Sequence, residues 1–196
     1  DLVALCALLG LFVYFCALFC ELLAAHTELR FTAVCVALFS GFVYPFLIGA
    51  LVRLRGMDGG KFYILVAFLL SMVADSGAYF VGRACGKHKL APIVSPKKTV
   101  EGSVCGILGS LIFSMLFGCF FMDRSLLWAC GVISVLGAAA SIVGDLTLSV
   151  VKRQVGIKDY GNLIPGHGGI LDRFDSTMLV APLTELLILL IPFAVK

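Results

Sequence analysis

Charge is what this sequence has least of. Only 14% of its 196 residues are Asp, Glu, Lys or Arg, against 61% hydrophobic, and the mean hydropathy is +1.08. A chain so poor in charge is too apolar for a water-soluble globule. CxxC pairs are missing too. The eight cysteines fall mostly within apolar runs and are read as small buried side chains, not as disulfide or metal groups. No internal repeat or low-complexity tract is present. The first apolar run has neither a basic n-region nor a small-residue cleavage site, so it is read as a true span and not as a signal peptide. The chain begins at Asp1 and not at Met, which predicts a further segment upstream. A Ser–His–Asp constellation is also lacking.

What is present is a series of apolar runs about 20 residues long, the length that matches a bilayer core. In hydrocarbon every backbone amide must be bonded internally, so such runs are expected to be helices. Six spans are predicted, at about residues 2–24, 31–52, 62–82, 103–122, 126–151 and 176–195. Pro45, Pro182 and Pro192 fall within or near span ends, where neighbouring helices can re-satisfy freed carbonyls. The expected fold is all-α: a polytopic membrane helical bundle forming one domain over 1–196, with N-terminal spans in 1–60 and a catalytic part in 61–196.

Six spans place the connections alternately on two sides. One side carries Arg53, Arg55, Lys61, Arg124 and Lys196. The other carries twice as many basic residues: Arg30, Arg83, Lys87, Lys89, Lys97, Lys98, Lys152, Arg153, Lys158 and Arg173. The positive-inside bias assigns this richer side to the cytoplasm. Both long polar loops, 83–102 and 152–175, then face the compartment that holds nucleotides, and the protein sits in the cytoplasmic (inner) membrane.

The few charges inside spans carry the most information. Asp75 and Asp145 each lie roughly two turns below the cytoplasmic end of an apolar helix. A carboxylate at that depth costs a few kcal/mol and needs a partner or a task. Gly137, Ser141, Asp145 and Ser149 recur every four residues and form one helical stripe, as do Ser71, Asp75 and Tyr79. For the serines, helix–helix contact and a polar seam are equally good readings; for the two aspartates a cation site is favoured. Glu185 has no companion motif and is left as either an ion-pathway residue or a neutral acid bonded to a helix. Gly102, Gly106 and Ser110 form a small-residue face that predicts close helix packing.

The chemistry concentrates in residues 144–176, where Asp145, Asp159, Asp172 and Asp175 mix with Lys152, Arg153, Lys158, Arg173 and His167. Any single lysine beside a bilayer is most often a topology determinant or a contact to anionic lipid. The combination says more. Gly166, Gly168 and Gly169 let a backbone approach a bulky anion. Carboxylates mixed with basic groups suit a metal–polyphosphate site, since magnesium takes one or two carboxylates and leaves its other positions to phosphates. His167 is an acid–base group, a donor to a phosphate oxygen, or a turn residue; the flanking glycines favour the phosphate role.

Taken together, the run SVVKR at 149–153, Lys158-Asp159, and PGHGGILDRFD at 165–175 resemble the signature of phosphatidate cytidylyltransferases, also called CDP-diacylglycerol synthases. DSGAY at 75–79 and SPKKTVEG at 95–102 are similar to that family's other blocks. The resemblance covers about residues 70–180; the first two spans match in character only. It implies a membrane enzyme joining CTP to phosphatidate, releasing pyrophosphate and leaving CDP-diacylglycerol. It also implies magnesium, a second cation such as potassium, and a homodimer. By the same resemblance Asp145 and Asp172 are the metal ligands, with Ser149 beside them.

The expected division of labour follows from that reaction. Asp145 and Asp172, with Asp175 or Asp75, hold the metal. Lys152, Arg153, Lys158 and Arg173 neutralise the triphosphate, His167, Gly168 and Gly169 approach it, and Lys97 and Lys98 hold either the nucleotide or the lipid headgroup. Asp159 is expected to fix the loop. The attacking phosphate is already anionic, so no strong base is required. The rival readings are a CTP-dependent lipid kinase and, from a different class, an ion transporter built on Asp75, Asp145 and Glu185. A CDP-alcohol phosphotransferase is disfavoured, because Asp58-Gly59 does not continue into that signature.

Overall fold

The computed structural model describes residues 2–24, 31–121, 127–157, 159–161 and 169–191. Arg30, Arg124, Pro192 and Lys196 lie outside the described residues. The regular structure of the described chain is helical apart from one hairpin, in line with the all-α expectation. Its contacts divide it into two compact units, 1–46 and 47–196.

In the first unit, α1 (Leu2–Ala24) and α2 (Phe31–Leu38) are linked through a hydrogen bond from the Tyr14 hydroxyl to the Ala37 carbonyl, 2.6 Å. After α2 come a π-helical turn (Phe39–Val43) and α3 (Tyr44–Ile48), within which the first unit ends; α4 (Ala50–Arg55) belongs to the second. The expected second span is therefore not a regular α-helix. Pro45 has no N–H for the Gly41 carbonyl and its ring crowds that position, and the widened π turn just before it relieves the conflict.

The second unit is built on α5 (Gly60–Cys85), α6 (Val100–Phe121), α7 (Leu127–Val155) and α8 (Thr177–Leu190). Among the described residues, five helical segments are long and apolar enough to cross a membrane: Leu5–Ala24, Thr32–Arg55, Gly60–Cys85, Val100–Phe121 and Leu127–Val155. Such a set makes this an integral membrane protein. The sixth expected span, α8, is apolar but has only 14 residues. At 1.5 Å per residue that is about 21 Å, short of a hydrocarbon core of about 30 Å. The helices carrying the half-buried aspartates run further than expected, α5 to Cys85 and α7 to Val155. Asp75 and Asp145 thus each lie ten residues before a helix end, nearly three turns and not two.

Packing in this unit inverts the water-soluble pattern. On α6, Gly102, Ser103, Gly106, Ser110, Ser114 and Gly118 are buried while Val104, Leu108, Ile112, Leu116 and Phe120 are exposed. Small residues let the α5 and α6 backbones approach directly. A Cβ on Gly106 would lie 2.5 Å from the Ala74 carbonyl oxygen, and one on Gly102 would collide with that of Ala78. The predicted small-residue face is therefore the α5–α6 seam. Outward-facing bulk also corrects the cysteine expectation: Cys6, Cys16, Cys20, Cys35, Cys85 and Cys119 are exposed and only Cys130 is buried, because apolar side chains on a membrane helix need no protein cover. All eight are free thiols.

An apolar core of Ala67, Leu70, Ile133, Val180 and Leu187 joins α5, α7 and α8. Glu185, left open by the sequence, is held by Arg53 in a two-bond fork, Nε to Oε1 at 2.7 Å and Nη2 to Oε2 at 2.8 Å. It fastens α8 to α4.

Residues expected to form a polar loop between the third and fourth spans instead contain a hairpin, β1 (Lys89–Ala91) paired antiparallel with β2 (Ser95–Thr99). Its base is clasped by Glu101, whose carboxylate accepts the His88 backbone N–H at 3.2 Å and pairs with His88 Nδ1 at 2.6 Å. Thr99 ends the strand and caps α6, accepting the Gly102 N–H at Oγ1, 3.2 Å. Arg153 of α7 donates to the Val94 carbonyl at 3.4 Å, so the turn of the hairpin reaches the C-terminal end of α7.

Candidate active site

Three segments bring carboxylates to one place. α5 supplies Asp75, α7 supplies Asp145, and the chain just before α8 supplies Asp172 and Asp175. All four line a cavity of about 320 Å³, together with Lys97, Lys98 and Thr99 of the hairpin and Ser176. The stripe logic holds. On α7, Ser149 Oγ donates to Asp145 Oδ1 at 3.2 Å, and Ser141 Oγ faces Asp75 Oδ1 at 3.4 Å. Gly137, one turn deeper, meets Leu70 of α5.

Close approach of the Asp172 segment depends on Gly144. A Cβ there would lie 2.8 Å from the Asp175 carbonyl oxygen and 3.2 Å from that of Ser176. A 3-10 turn (Leu171–Arg173) precedes these residues, and the Phe174 ring packs edge-on against Phe68 of α5 with centroids 5.9 Å apart. Ser176 then joins two carboxylates: its hydroxyl lies 2.6 Å from Asp75 Oδ2 and 3.3 Å from Asp175 Oδ1.

Each acid meets a different electrostatic setting. Asp145 pairs with Lys98. Asp172 accepts Lys152 Nζ at 2.9 Å on Oδ1 and the backbone N–H groups of Tyr160 and Gly169, at 2.8 and 3.0 Å, on Oδ2. The Lys152 and Asp172 side chains are only 12% and 6% exposed, so this pair is largely shielded from water. Burial alone would raise the Asp172 carboxyl, but the lysine and the two N–H groups outweigh it and hold the group below its ordinary value. Asp175 is the reverse case. Burial, then the Asp145 charge, push it up to about 6, against the pull of the Ser176 N–H and Lys152. Its Oδ2 faces Lys152 Nζ at 3.9 Å, beyond hydrogen-bonding reach.

Of the remaining sequence-predicted residues, Lys97 lines the cavity and is exposed, as alternation along β2 dictates once Lys98 points inward. Gly169 is present through its N–H. Arg173 lines a second cavity of about 380 Å³, bounded also by Phe68, Met72, Phe174 and Thr177, which shares Asp75, Asp172, Asp175 and Ser176 with the first. Arg153 lies on the hairpin carbonyl and not in either cavity lining. Asp159 is exposed. Lys158, His167 and Gly168 lie outside the described residues.

Sequence reasoning missed Ser176, Gly144 and Tyr160. A serine directly after the last aspartate of the motif was a usable signal for the first. A glycine in an apolar helix and a tyrosine in a loop offered none.

Charge at the site is divided between four acids and two inward lysines, Lys98 and Lys152. Among the described residues, no three His, Cys, Asp or Glu side chains stand together in metal-ligating geometry; the lysines occupy Asp145 and Asp172. Four carboxylates facing one cavity are nonetheless the kind of oxygen donor set that a hard divalent cation takes, so the residue types suit such an ion.

Comparison with known proteins adds the chemistry. A model of the cytidylyltransferase family matches residues 2–191, which extends the sequence resemblance beyond 70–180 into the first two spans. The chain is similar to the phosphatidate cytidylyltransferases of Staphylococcus saprophyticus (48% identical over 130 residues), Staphylococcus haemolyticus (47% over 131) and Staphylococcus aureus (44% over 131). Each alignment covers 66% of this chain and 50% of the relative. The chain thus spans about half the length of the curated relatives it matches.

Proposed function

The chain belongs to the cytidylyltransferase family, and on that premise we propose that it condenses CTP with phosphatidate to give CDP-diacylglycerol and pyrophosphate. The observation that carries this reading is the cavity walled by Asp75, Asp145, Asp172 and Asp175, with Lys98 in its lining and Lys152 bonded to Asp172. It offers sites for a cation and for polyphosphate at once, and both substrates are phosphates.

The reaction is an in-line displacement. A phosphate oxygen of phosphatidate attacks the α-phosphorus of CTP, the bond from that phosphorus to the bridging oxygen breaks, and pyrophosphate leaves with its electron pair. The attacking oxygen is already anionic, so the protein need not supply a base. Its task is to bring two anions together and to stabilise charge on the leaving group. Lys98 inside the cavity and Lys152 beside Asp172 neutralise phosphate oxygens, Lys97 does so at the cavity rim, and Arg173 approaches from the second cavity. Lys158, His167, Gly168 and Gly169 complete the polyphosphate contacts, and Arg153 holds the hairpin over the helix ends. Ser149 and Ser176 orient Asp145, Asp75 and Asp175.

Asp145 and Asp172, with Asp175 and Asp75 beside them, would hold magnesium, which when bound neutralises phosphate oxygens of the reactants. A second, monovalent cation such as potassium and a homodimeric assembly belong to the same proposal. So does a site at the cytoplasmic face of the inner membrane, a reading supported by the two-to-one excess of basic residues on the side of residues 83–102 and 152–175.

Product identity tests the reading. Detergent-purified protein, supplied with phosphatidate, magnesium and CTP labelled at the α-phosphorus, is expected to move the label into lipid and to release pyrophosphate. Label recovered in CDP would mean transfer of the terminal phosphate and a lipid kinase; no CTP consumption would remove the enzymatic reading.

A further inference from the structure

Lys152 raises a problem for the site as described. Its ammonium sits on Asp172, one of the carboxylates assigned to the cation, so cation and lysine contend for the same oxygen. A lysine without a second berth would remain there, since its side chain is only 12% exposed and has little access to water.

Tyr160 supplies that berth. Its ring centroid lies 5.4 Å from Lys152 Nζ, within the range of a cation–π contact. The same residue donates its backbone N–H to Asp172 Oδ2 at 2.8 Å and its hydroxyl to the Leu148 carbonyl of α7 at 3.1 Å. Leu148 is fully buried on the helix that carries Lys152, so the ring is tied to the element from which the lysine springs. Behind it, the backbones of Gly161 and Gly169 are in contact: a Cβ on Gly169 would lie 2.9 Å from Gly161 N. One residue thus touches both members of the Lys152–Asp172 pair.

We propose that Tyr160 is a positioning residue that acts through Lys152: its ring receives the ammonium when a divalent cation takes Asp172, while its N–H keeps the freed carboxylate aimed into the cavity. The inference rests on the assignment of Asp172 to the cation. It makes Lys152 a stand-in on Asp172 that moves a short way for the cation and remains beside the phosphates.

The test is a double-mutant cycle between Tyr160 and Lys152, read by Mn2+ titration of the full chain in detergent, with melting temperature as the check on folding. Tyr160→Leu leaves Lys152 on Asp172 and is expected to weaken Mn2+ binding by about three- to tenfold, the scale of a desolvated cation–π contact. Tyr160→Phe keeps the ring and should stay within about threefold of wild type, having lost one hydrogen bond. Lys152→Gln removes the competitor, so Tyr160→Leu added to it should change nothing further. If Tyr160→Leu does not fold, Tyr160→Met serves as a longer, more adaptable ring-less variant. An effect of Tyr160→Leu that persists in the Lys152→Gln background, or a lowered melting temperature with unchanged Mn2+ affinity, overturns the inference alone. A wild-type chain that binds no Mn2+ overturns the cation assignment and the inference with it.

Discussion

Two sets of opposite charges sit among the apolar helices of residues 47–191, and they are built differently. Arg53 and Glu185 form a planar fork in which two donors meet two carboxylate oxygens, at 2.7 and 2.8 Å. The pair joins α4 to α8. At the carboxylate cavity the bases are lysines, each bound through one ammonium, and Asp175 is left with a partner 3.9 Å away. Arginine's rigid fork suits a permanent link, whereas a lysine ammonium on a flexible stem can exchange partners. The difference separates charges that hold helices from charges available to a ligand, though both look alike as isolated acids in apolar sequence.

Removing one acid from each set should break the comparison in opposite ways. Asp145→Asn is expected to lower CTP turnover by roughly 10²–10³-fold, the scale on which one preorganised electrostatic group is felt, with little change in melting temperature. Near-normal turnover would take Asp145 out of the site. Glu185→Ala should instead destabilise the fold by about 1–3 kcal/mol, by leaving Arg53 without its fork, while folded protein keeps its kcat/KM. Thermal melts and kinetics on the same preparation separate the two.

The α5–α6 seam should behave like the Arg53–Glu185 set in stability and like the cavity in activity. Gly106→Ala forces a methyl group against the Ala74 carbonyl and is expected to cost about 1–3 kcal/mol by overpacking. Because α5 also carries Asp75, turnover should fall in the same variant. A stable, fully active Gly106→Ala would show that the seam does not set the position of Asp75.

The smallest effect concerns protons. Asp175 is raised to about 6 by burial and by Asp145. Between the ordinary carboxyl value and about 6, the folded, metal-free protein holds a proton that the unfolded chain releases, so stability falls as pH rises through this window. Asp172, held below its ordinary value, acts only at more acidic pH. Metal-free protein should therefore melt higher near pH 5 than near pH 7, and magnesium should diminish the trend by competing for the carboxylate. A melting temperature independent of pH would remove the strained state of Asp175.

Much of this was legible in the chain itself. Spans follow from apolar length, the seam from the spacing of Gly102, Gly106 and Ser110, and the α7 stripe from the recurrence of Ser141, Asp145 and Ser149. Those signals are local and periodic, which is why they survive without a structure. The π turn before Pro45, the short α8 and the hairpin at 89–99 were not legible. The first is a backbone compromise within an apolar run, the second has the composition of a span without its length, and the third lies in sequence whose lysines read as a loop. At the site, the acids were identified by their rarity in apolar sequence. Their partners were not: Ser176 and Tyr160 gain their roles only through contacts across the fold, and Gly144 through the backbone it admits.

Crystals soaked in Mn2+ and measured for anomalous scattering address the shared-ion claim most directly. The account predicts a peak within about 2.5 Å of carboxylate oxygens of both Asp145 and Asp172. A peak on one of them alone, or one placed among the lysines away from both, would contradict it.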